Sequence, residues 1–315
     1  MRILYAAGNR LGSYYQLKRF LNSIYNKNYN IKIAAYKNSI QDLDCDYILD
    51  SLFNFTGQNA TISFNGNYLY YRNEIKRFNP DLIISDFEIY TSLIADELKI
   101  KLWQYSPINL YYALDTKTKH AVEIHKYCYH LIEADPKKVE YFSHIFNRSD
   151  RKFVLSHLCD NETNPTLINK FEWVRPEFIL GEDANYNNGI IALSKINYDI
   201  IDSIKNKNAR LFLPHTSCNY DKIMVADINK NLYKNSLDNC NMFITDGTAT
   251  FLADAFYNQK YSYSISRYDD FETIVGSYTN QYYNIGSNNL DYDPKKINIK
   301  IDKNVKFLSE HLGEL

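Results

Sequence analysis

The 315-residue sequence carries almost no net charge: 36 Lys and Arg face 37 Asp and Glu, leaving −1. That excludes a globally basic nucleic-acid binder, though not a local basic patch. Cysteines are few and scattered. Cys45, Cys128, Cys159, Cys218 and Cys240 form no CxxC pair, so neither a zinc knuckle nor a disulfide framework is indicated. The pattern GxxxxGK[ST] does not occur, which removes the P-loop. No apolar run approaches the roughly 20 residues that span a bilayer. MRILYAAGNR enters a strand with no cationic stretch and apolar leader ahead of it. Together these absences imply a reduced, soluble, cytoplasmic protein, in host cytoplasm if the source is viral. The 29 Tyr, with many Asn, Lys and Ile, point to an AT-rich coding sequence, viral or microbial.

Hydrophobic residues make up 45% of the chain, ample for a core, and the length favours two domains of roughly 150 residues. Short apolar runs alternate with helical spacing: Ile3–Ala7, a helix carrying Tyr14, Leu17, Phe20, Leu21 and Ile24, then Ile31–Ala35. A helix over 68–78, a strand over 81–85, a helix over 88–98 and a strand over 101–105 follow. Residues 107–170 are less regular. A helix over 117–132 carries His120, His125 and His130, whose spacing does not gather them on one face for a metal. The linker falls at 181–189, and the pattern restarts with strands at 190–193, 209–213, 223–226 and 242–245 and helices at 198–204 and 232–237. This order predicts an α/β protein of two doubly wound domains, residues 1–180 and 181–315, facing a cleft with ligands beyond the carboxyl ends of the strands.

Three turns at strand exits carry polar groups. Gly8-Asn9-Arg10-Leu11-Gly12-Ser13 has two glycines but misses the dinucleotide pattern GxGxxG. Ser85-Asp86-Phe87-Glu88 sets two carboxylates at a strand end, as a general base or as helix N-terminal charges. Asp246-Gly247-Thr248-Ala249-Thr250 joins the strand Met242–Thr245 to an apolar helix. Gly247 allows backbone angles barred to other residues, and the helix start offers N–H groups to an anion. Asp254, one turn on, suits two ribose hydroxyls. Simple helix capping explains such a turn as well.

The segment Phe78-Asn79-Pro80-Asp81-Leu82-Ile83-Ile84-Ser85-Asp86-Phe87-Glu88 resembles the PDLVISDFE stretch of MurG-like, family-28-type GT-B glycosyltransferases, which use nucleotide-sugar donors. Gly8–Ser13 is similar to their GxGLGH turn, and Thr245–Phe256 matches the register of their TNGGxxTLSEAL segment. The resemblance implies two Rossmann-like domains of the GT-B type and transfer of a hexosyl or pentosyl group from a nucleotide sugar, UDP-linked, to a hydroxyl. It implies that Gly12, Ser13, Ser194, Lys195, Val225, Asp246, Gly247, Thr248, Ala249, Thr250 and Asp254 line the donor site. Lys195 would counter leaving-group charge with no metal and no further cofactor. Ser13 stands where many relatives have His, which moves the base to Asp86, with Glu88 second.

The acceptor side stays open between a glycan, a lipid-linked or small molecule, and a modified base in duplex DNA. The DNA reading rests on Arg148, Arg151 and Lys152, with Lys137 and Lys138 upstream, near Tyr141, Phe142, Phe146 and Phe153. A charged surface over an aromatic core accounts for the same residues. The alternatives are a nucleotide-sugar 2-epimerase, for which His215 is the candidate, and a non-catalytic nucleotide-binding relative.

Overall fold

The computed structural model describes residues 1–8, 11–36, 44–49, 53–54, 61–62, 67–115, 117, 122, 124–126, 143–155, 167–179, 189–193, 209–213, 224–227, 231–265, 271–285, 295–297 and 305–315. The chain divides into two units. The first takes Met1–Asp115, Tyr129–Leu155 and Leu167–Trp173; the second takes Thr116–Cys128, Ser156–Thr166 and Val174–Leu315.

The first unit is built on β1 (Arg2–Ala6), α1 (Leu11–Ser23), β2 (Asn30–Tyr36), β3 (Tyr47–Leu49), the small pair β4 (Phe53–Asn54) and β5 (Thr61–Ile62), and α2 (Asn67–Phe78). There follow β6 (Leu82–Ser85), α3 (Ile89–Leu98), β7 (Leu102–Ser106), a 3-10 turn at Pro107–Asn109, α4 (Leu110–Ala113), β8 (Arg151–Leu155) and β9 (Phe171–Val174). The sheet order is β3-β2-β1-β6-β7-β8-β9, with β3 through β8 parallel. The apolar runs of β1 and β6 are buried on both faces, as a helix-covered parallel sheet requires. Helices α2 and α3 stop where Asn79 and Lys99 turn left-handed, at φ 49° and 56°.

Strand β8 corrects the expectation of irregular structure and a solvated basic cluster. Its leading Arg-Lys pair hides a strand signal, because both side chains lie along aromatic rings while their heads find acceptors. The Arg151 guanidinium sits 5.3 Å from the Trp103 ring centroid and pairs with Glu172; the Lys152 amine lies over Phe171 and donates to the Asn169 carbonyl at 2.9 Å.

The second unit holds β10 (Gly189–Ala192), β11 (Ala209–Leu213), β12 (Met224–Asp227), α5 (Asn231–Asp238), β13 (Met242–Thr245), α6 (Ala249–Tyr257), β14 (Tyr261–Ser264), α7 (Phe271–Tyr283), β15 (Lys295–Lys296) and α8 (Leu308–His311). Its order is β12-β11-β10-β13-β14-β15, parallel except for β15. In each sheet the order reverses next to the first strand of the unit, between β1 and β6 and between β10 and β13. That reversal opens a crevice at the strand carboxyl ends, where doubly wound sheets bind ligands.

The helix expected at 198–204, the linker at 181–188 and most of the helix at 117–132 lie outside the described residues, as do His120, His130 and His215. Residues 124–126, including half-exposed His125, are helical. No helix among the described residues is long and apolar enough to cross a membrane. No three His, Cys, Asp or Glu among the described residues gather as a metal site.

Candidate functional site

The two strand reversals bring the sequence candidates to two places. In the first unit, Ala6 of β1 pairs with Ser85 of β6, and the Asp86 N–H donates to the Ala6 carbonyl at 2.9 Å. Asp86 therefore leaves β6 beside the exit of β1, where Gly12 and the buried Ser13 enter α1. Phe87 follows at φ 54°, a strained setting for a bulky residue. It swings the chain so that Glu88 becomes the N-cap of α3.

Glu88 is committed to that cap. Its fully buried carboxylate accepts from the Tyr90 N–H (2.8 Å), the Thr91 N–H (2.7 Å), the Thr91 hydroxyl (2.6 Å) and the Tyr36 hydroxyl (2.7 Å). Burial pushes the carboxyl above its ordinary range, while these hydrogen bonds pull the other way. Burial, then the Glu88 charge, holds the Tyr36 phenol well above its usual value. Of the two readings open for Ser85–Glu88, Glu88 follows the capping one. Four donors satisfy it, and none of them is a substrate. The Ser85, Ser92 and Gln104 side chains brace the same turn: Ser85 Oγ donates to the Glu88 carbonyl at 2.9 Å, and Gln104 Nε2 to Ser92 Oγ at 2.9 Å.

In the second unit, Ala192 of β10 pairs with Thr245 of β13, and the chain leaves β13 through Asp246. Asp246 Oδ1 accepts from the Thr248 hydroxyl (2.8 Å) and the Thr248 N–H (3.3 Å), closing a tight polar turn. Gly247 sits at φ +83°, open to glycine and strained for other residues. Thr248 is the N-cap of α6, yet its side chain makes no cap hydrogen bond.

The two turns follow one plan. A strand ends in Ser85 or Thr245; an aspartate comes next, Asp86 or Asp246; then a positive-φ residue, Phe87 or Gly247; then an N-cap, Glu88 or Thr248, and a helix. They differ in one respect. In α3 the N-cap carboxylate binds the first-turn N–H groups, whereas at α6 the Thr248 side chain makes no cap hydrogen bond. Asp246 accepts from the Thr248 N–H and the Phe251 N–H donates to the Thr248 carbonyl, so the Ala249 and Thr250 N–H groups are left uncapped by the N-cap side chain.

Asp254 is spent on contacts within the second unit. It is 0% exposed; Oδ1 accepts from the Ile179 N–H at 2.9 Å and Oδ2 from the Tyr233 hydroxyl at 2.6 Å. With Asn258 Nδ2 donating to the Ile179 carbonyl (2.7 Å) and the Phe178 and Tyr257 rings stacked at 4.4 Å, it straps residues 178–179 to α6. Both oxygens expected to meet ribose hydroxyls thus accept from protein groups inside the unit.

Val225 lies on β12, the strand at the sheet edge, where main-chain groups face away from the ladder. Ser194 and Lys195 lie outside the described residues, one step beyond Leu193 and the end of β10. The described basic members of the DNA-reading cluster have partners within the chain. Arg148 pairs with Asp96 and Arg151 with Glu172, while Phe146 and Phe153 are core residues with no face for a base. Lys137, Lys138, Tyr141 and Phe142 lie outside the described residues.

Sequence reasoning missed α7. Gly276 packs so closely on the turn that a Cβ there would collide with the Gly247 carbonyl oxygen. The signal was present, since an isolated glycine inside the helical run Phe271–Tyr283 sacrifices about 1 kcal/mol of helix propensity and asks for a packing reason.

No family model matches the chain, and no curated protein sequence matches it. Solved structures do. The Streptomyces sp. SF2575 glycosyltransferase SsfS6 in complex with thymidine diphosphate superposes with a TM-score of 0.58 at 12% identity, over 91% of this chain and 87% of that one. The forosaminyltransferase SpnP of spinosyn gives 0.56 at 11%, over 93% and 87%. MurG of Acinetobacter baumannii gives 0.52 at 9%, over 90% and 83%. At such identities the likeness is one of architecture, and in architecture the chain is a two-domain GT-B structure resembling the glycosyltransferases built on it, MurG among them.

Proposed function

We propose that this protein is a glycosyltransferase that moves a hexosyl or pentosyl group from a uridine- or thymidine-linked nucleotide sugar to a hydroxyl of its acceptor. The observation that carries the reading is the contrast between the two matching turns. One helix start is neutralised by the chain's own Glu88; the other, after Gly247 at φ +83°, is left uncapped by Thr248. A helix N-terminus with uncapped N–H groups and a permissive glycine suits an anion, and a nucleoside diphosphate is the anion that one structural neighbour, SsfS6, holds. The thymidine diphosphate held by SsfS6 supports that class of ligand.

In this scheme Gly247, Thr248, Ala249 and Thr250 hold the diphosphate, with Asp246 fixing the turn. Ser194 and Lys195, at the exit of β10, meet the departing charge, and the Val225 main chain meets the base. Gly12 and Ser13 shape the turn into α1 of the first unit. The acceptor oxygen attacks the anomeric carbon, the bond from that carbon to the diphosphate oxygen breaks, and Asp86 takes the hydroxyl proton. N–H dipoles and Lys195 compensate the leaving group, so no resident metal enters the scheme.

The test is a thermal-shift and calorimetric panel of nucleoside diphosphates and nucleotide sugars. A ligand at 100 times its Kd that binds only the folded chain adds about 2.7 kcal/mol of stability. A rise with uridine or thymidine diphosphate supports the reading; no rise with any member sinks it. Asp86→Asn should keep donor affinity and lower turnover by about 10²–10⁴; near-normal turnover would remove Asp86 from the role.

A further inference from the structure

Behind the Gly247 turn lies a set of buried polar atoms that no other described residue satisfies. Asn280 on α7 is 0% exposed, and neither its Nδ2 nor its Oδ1 has a hydrogen-bond partner among the described residues. The same is true of Thr245 Oγ1 at the end of β13, Thr250 Oγ1 in the first turn of α6 and Ser264 Oγ at the end of β14. Thr245 and Ser264 are register partners on adjacent strands. Asn280 Nδ2 lies 3.5 Å from where a Cβ on residue 247 would sit, and Gly276, one helical turn earlier on the same face of α7, abuts the Gly247 carbonyl.

A buried polar atom left unpaired costs about 1–3 kcal/mol, and native structures keep few of them. An apolar side chain at position 280 would avoid that penalty. Something other than packing therefore favours an amide there. Gly247 supplies the reason: its peptide is the piece of backbone that must hold its angle for the α6 N–H groups to meet an anion, and it rests on Gly276 and Asn280.

We propose that Asn280 is a positioning residue for the anion-binding turn, its amide fixing the Gly247 peptide from behind when the diphosphate is bound. The inference rests on the reading of the α6 start as the donor diphosphate site. It adds a residue two turns inside a different helix, and it says what the glycine at 276 is for: Gly276 lets α7 come close enough for Asn280 to reach the turn.

The experiment compares wild type with Asn280→Leu and Asn280→Ser in the full chain, by melting without ligand and by calorimetric titration with uridine diphosphate, thymidine diphosphate and inorganic pyrophosphate. The proposal expects Asn280→Leu to melt at or above the wild-type temperature and yet bind at least about tenfold more weakly, a split that a purely structural residue does not produce. Affinity within twofold of wild type in Asn280→Leu overturns the inference and leaves the donor reading standing. If wild type binds none of the three probes, the donor reading fails and the inference with it. Should Asn280→Leu not fold, the same affinity criterion applies to Asn280→Ser, which leaves room in the pocket.

Discussion

Glu88 gives the sharpest separation between structure and catalysis, because the two roles predict opposite results for Glu88→Gln. The carboxylate faces four donors, two of them backbone N–H groups at the start of α3. In the amide, one oxygen remains to accept and the other position becomes NH₂. The Tyr36 and Thr91 hydroxyls can turn to accept from it, but one backbone N–H cannot. A buried donor left facing another donor costs about 1–3 kcal/mol, and the charge assistance of the cap is lost as well. Glu88→Gln should therefore lose about 2–3 kcal/mol, and Glu88→Ala, which also removes the N-cap at about 1 kcal/mol and orphans both hydroxyls, about 4–5 kcal/mol. For a unit of 150–250 residues each kcal/mol is worth about 2–4 °C. The expected fall is about 4–12 °C for the amide and larger for alanine.

The assay is thermal melting of the ligand-free variants followed by turnover normalised to folded protein. A capping Glu88 gives the fall in melting temperature with turnover per folded molecule held within about tenfold. A general base gives the reverse, an unshifted melt and a loss of about 10²–10⁴ in turnover. A Glu88→Gln protein that melts within about 1 °C of wild type would refute the account of this turn.

Three further outcomes follow from the geometry. Asp254→Ala should destabilise the protein by about 2–4 kcal/mol in chemical denaturation, since it orphans the Ile179 N–H and the Tyr233 hydroxyl; a large loss of nucleotide affinity with unchanged stability would restore the ribose role. Gly276→Ala should weaken both folding and diphosphate binding, because the new methyl meets the Gly247 carbonyl; a variant as stable and as tight as wild type would show that α7 does not press on the turn. The Tyr36 phenol titrates above its ordinary value, raised by burial and then by the Glu88 charge, so the stability it contributes is complete below about pH 10 and lost as pH rises towards the folded value. Wild type should accordingly lose about 1.4 kcal/mol per pH unit more than Tyr36→Phe above pH 10, read from denaturant melts at several pH values; parallel pH profiles would contradict it.

The strand–helix alternation was legible because its strands are short apolar runs that parallel sheets bury on both faces, and β11 and β13 lie where the pattern puts them. β8 was not, because Arg151 and Lys152 open it and only tertiary contacts with Trp103 and Phe171 make them strand residues. Among the site candidates, residue type and spacing located the turns and could not say which carboxylates were spent. Glu88 and Asp254 each stand where a ligand contact was plausible, and the partners that hold them come from far along the chain: Tyr36 for the first, Ile179 and Tyr233 for the second.

The two turns also build one sequence plan in two different ways. Both need a residue at positive φ to bend the strand exit into a helix. In the second unit that residue is Gly247, which adds no side chain, and the N-cap is a threonine whose hydroxyl is turned to Asp246 and away from the helix. In the first unit it is Phe87, whose ring packs about 6.0 Å from those of Tyr112 and Phe146, and the N-cap is a glutamate that fills the helix end. The α3 turn thus carries a bulky residue and a capping carboxylate, whereas the α6 turn carries a glycine and a threonine whose side chain leaves the helix start uncapped. Exchanging Thr248 for Glu would carry the capped arrangement across. The introduced carboxylate would reach the Thr250 N–H as Glu88 reaches that of Tyr90, and diphosphate affinity should fall by at least about a hundredfold while the ligand-free protein gains or keeps stability. Unchanged binding in Thr248→Glu would mean that the anion sits somewhere other than the start of α6.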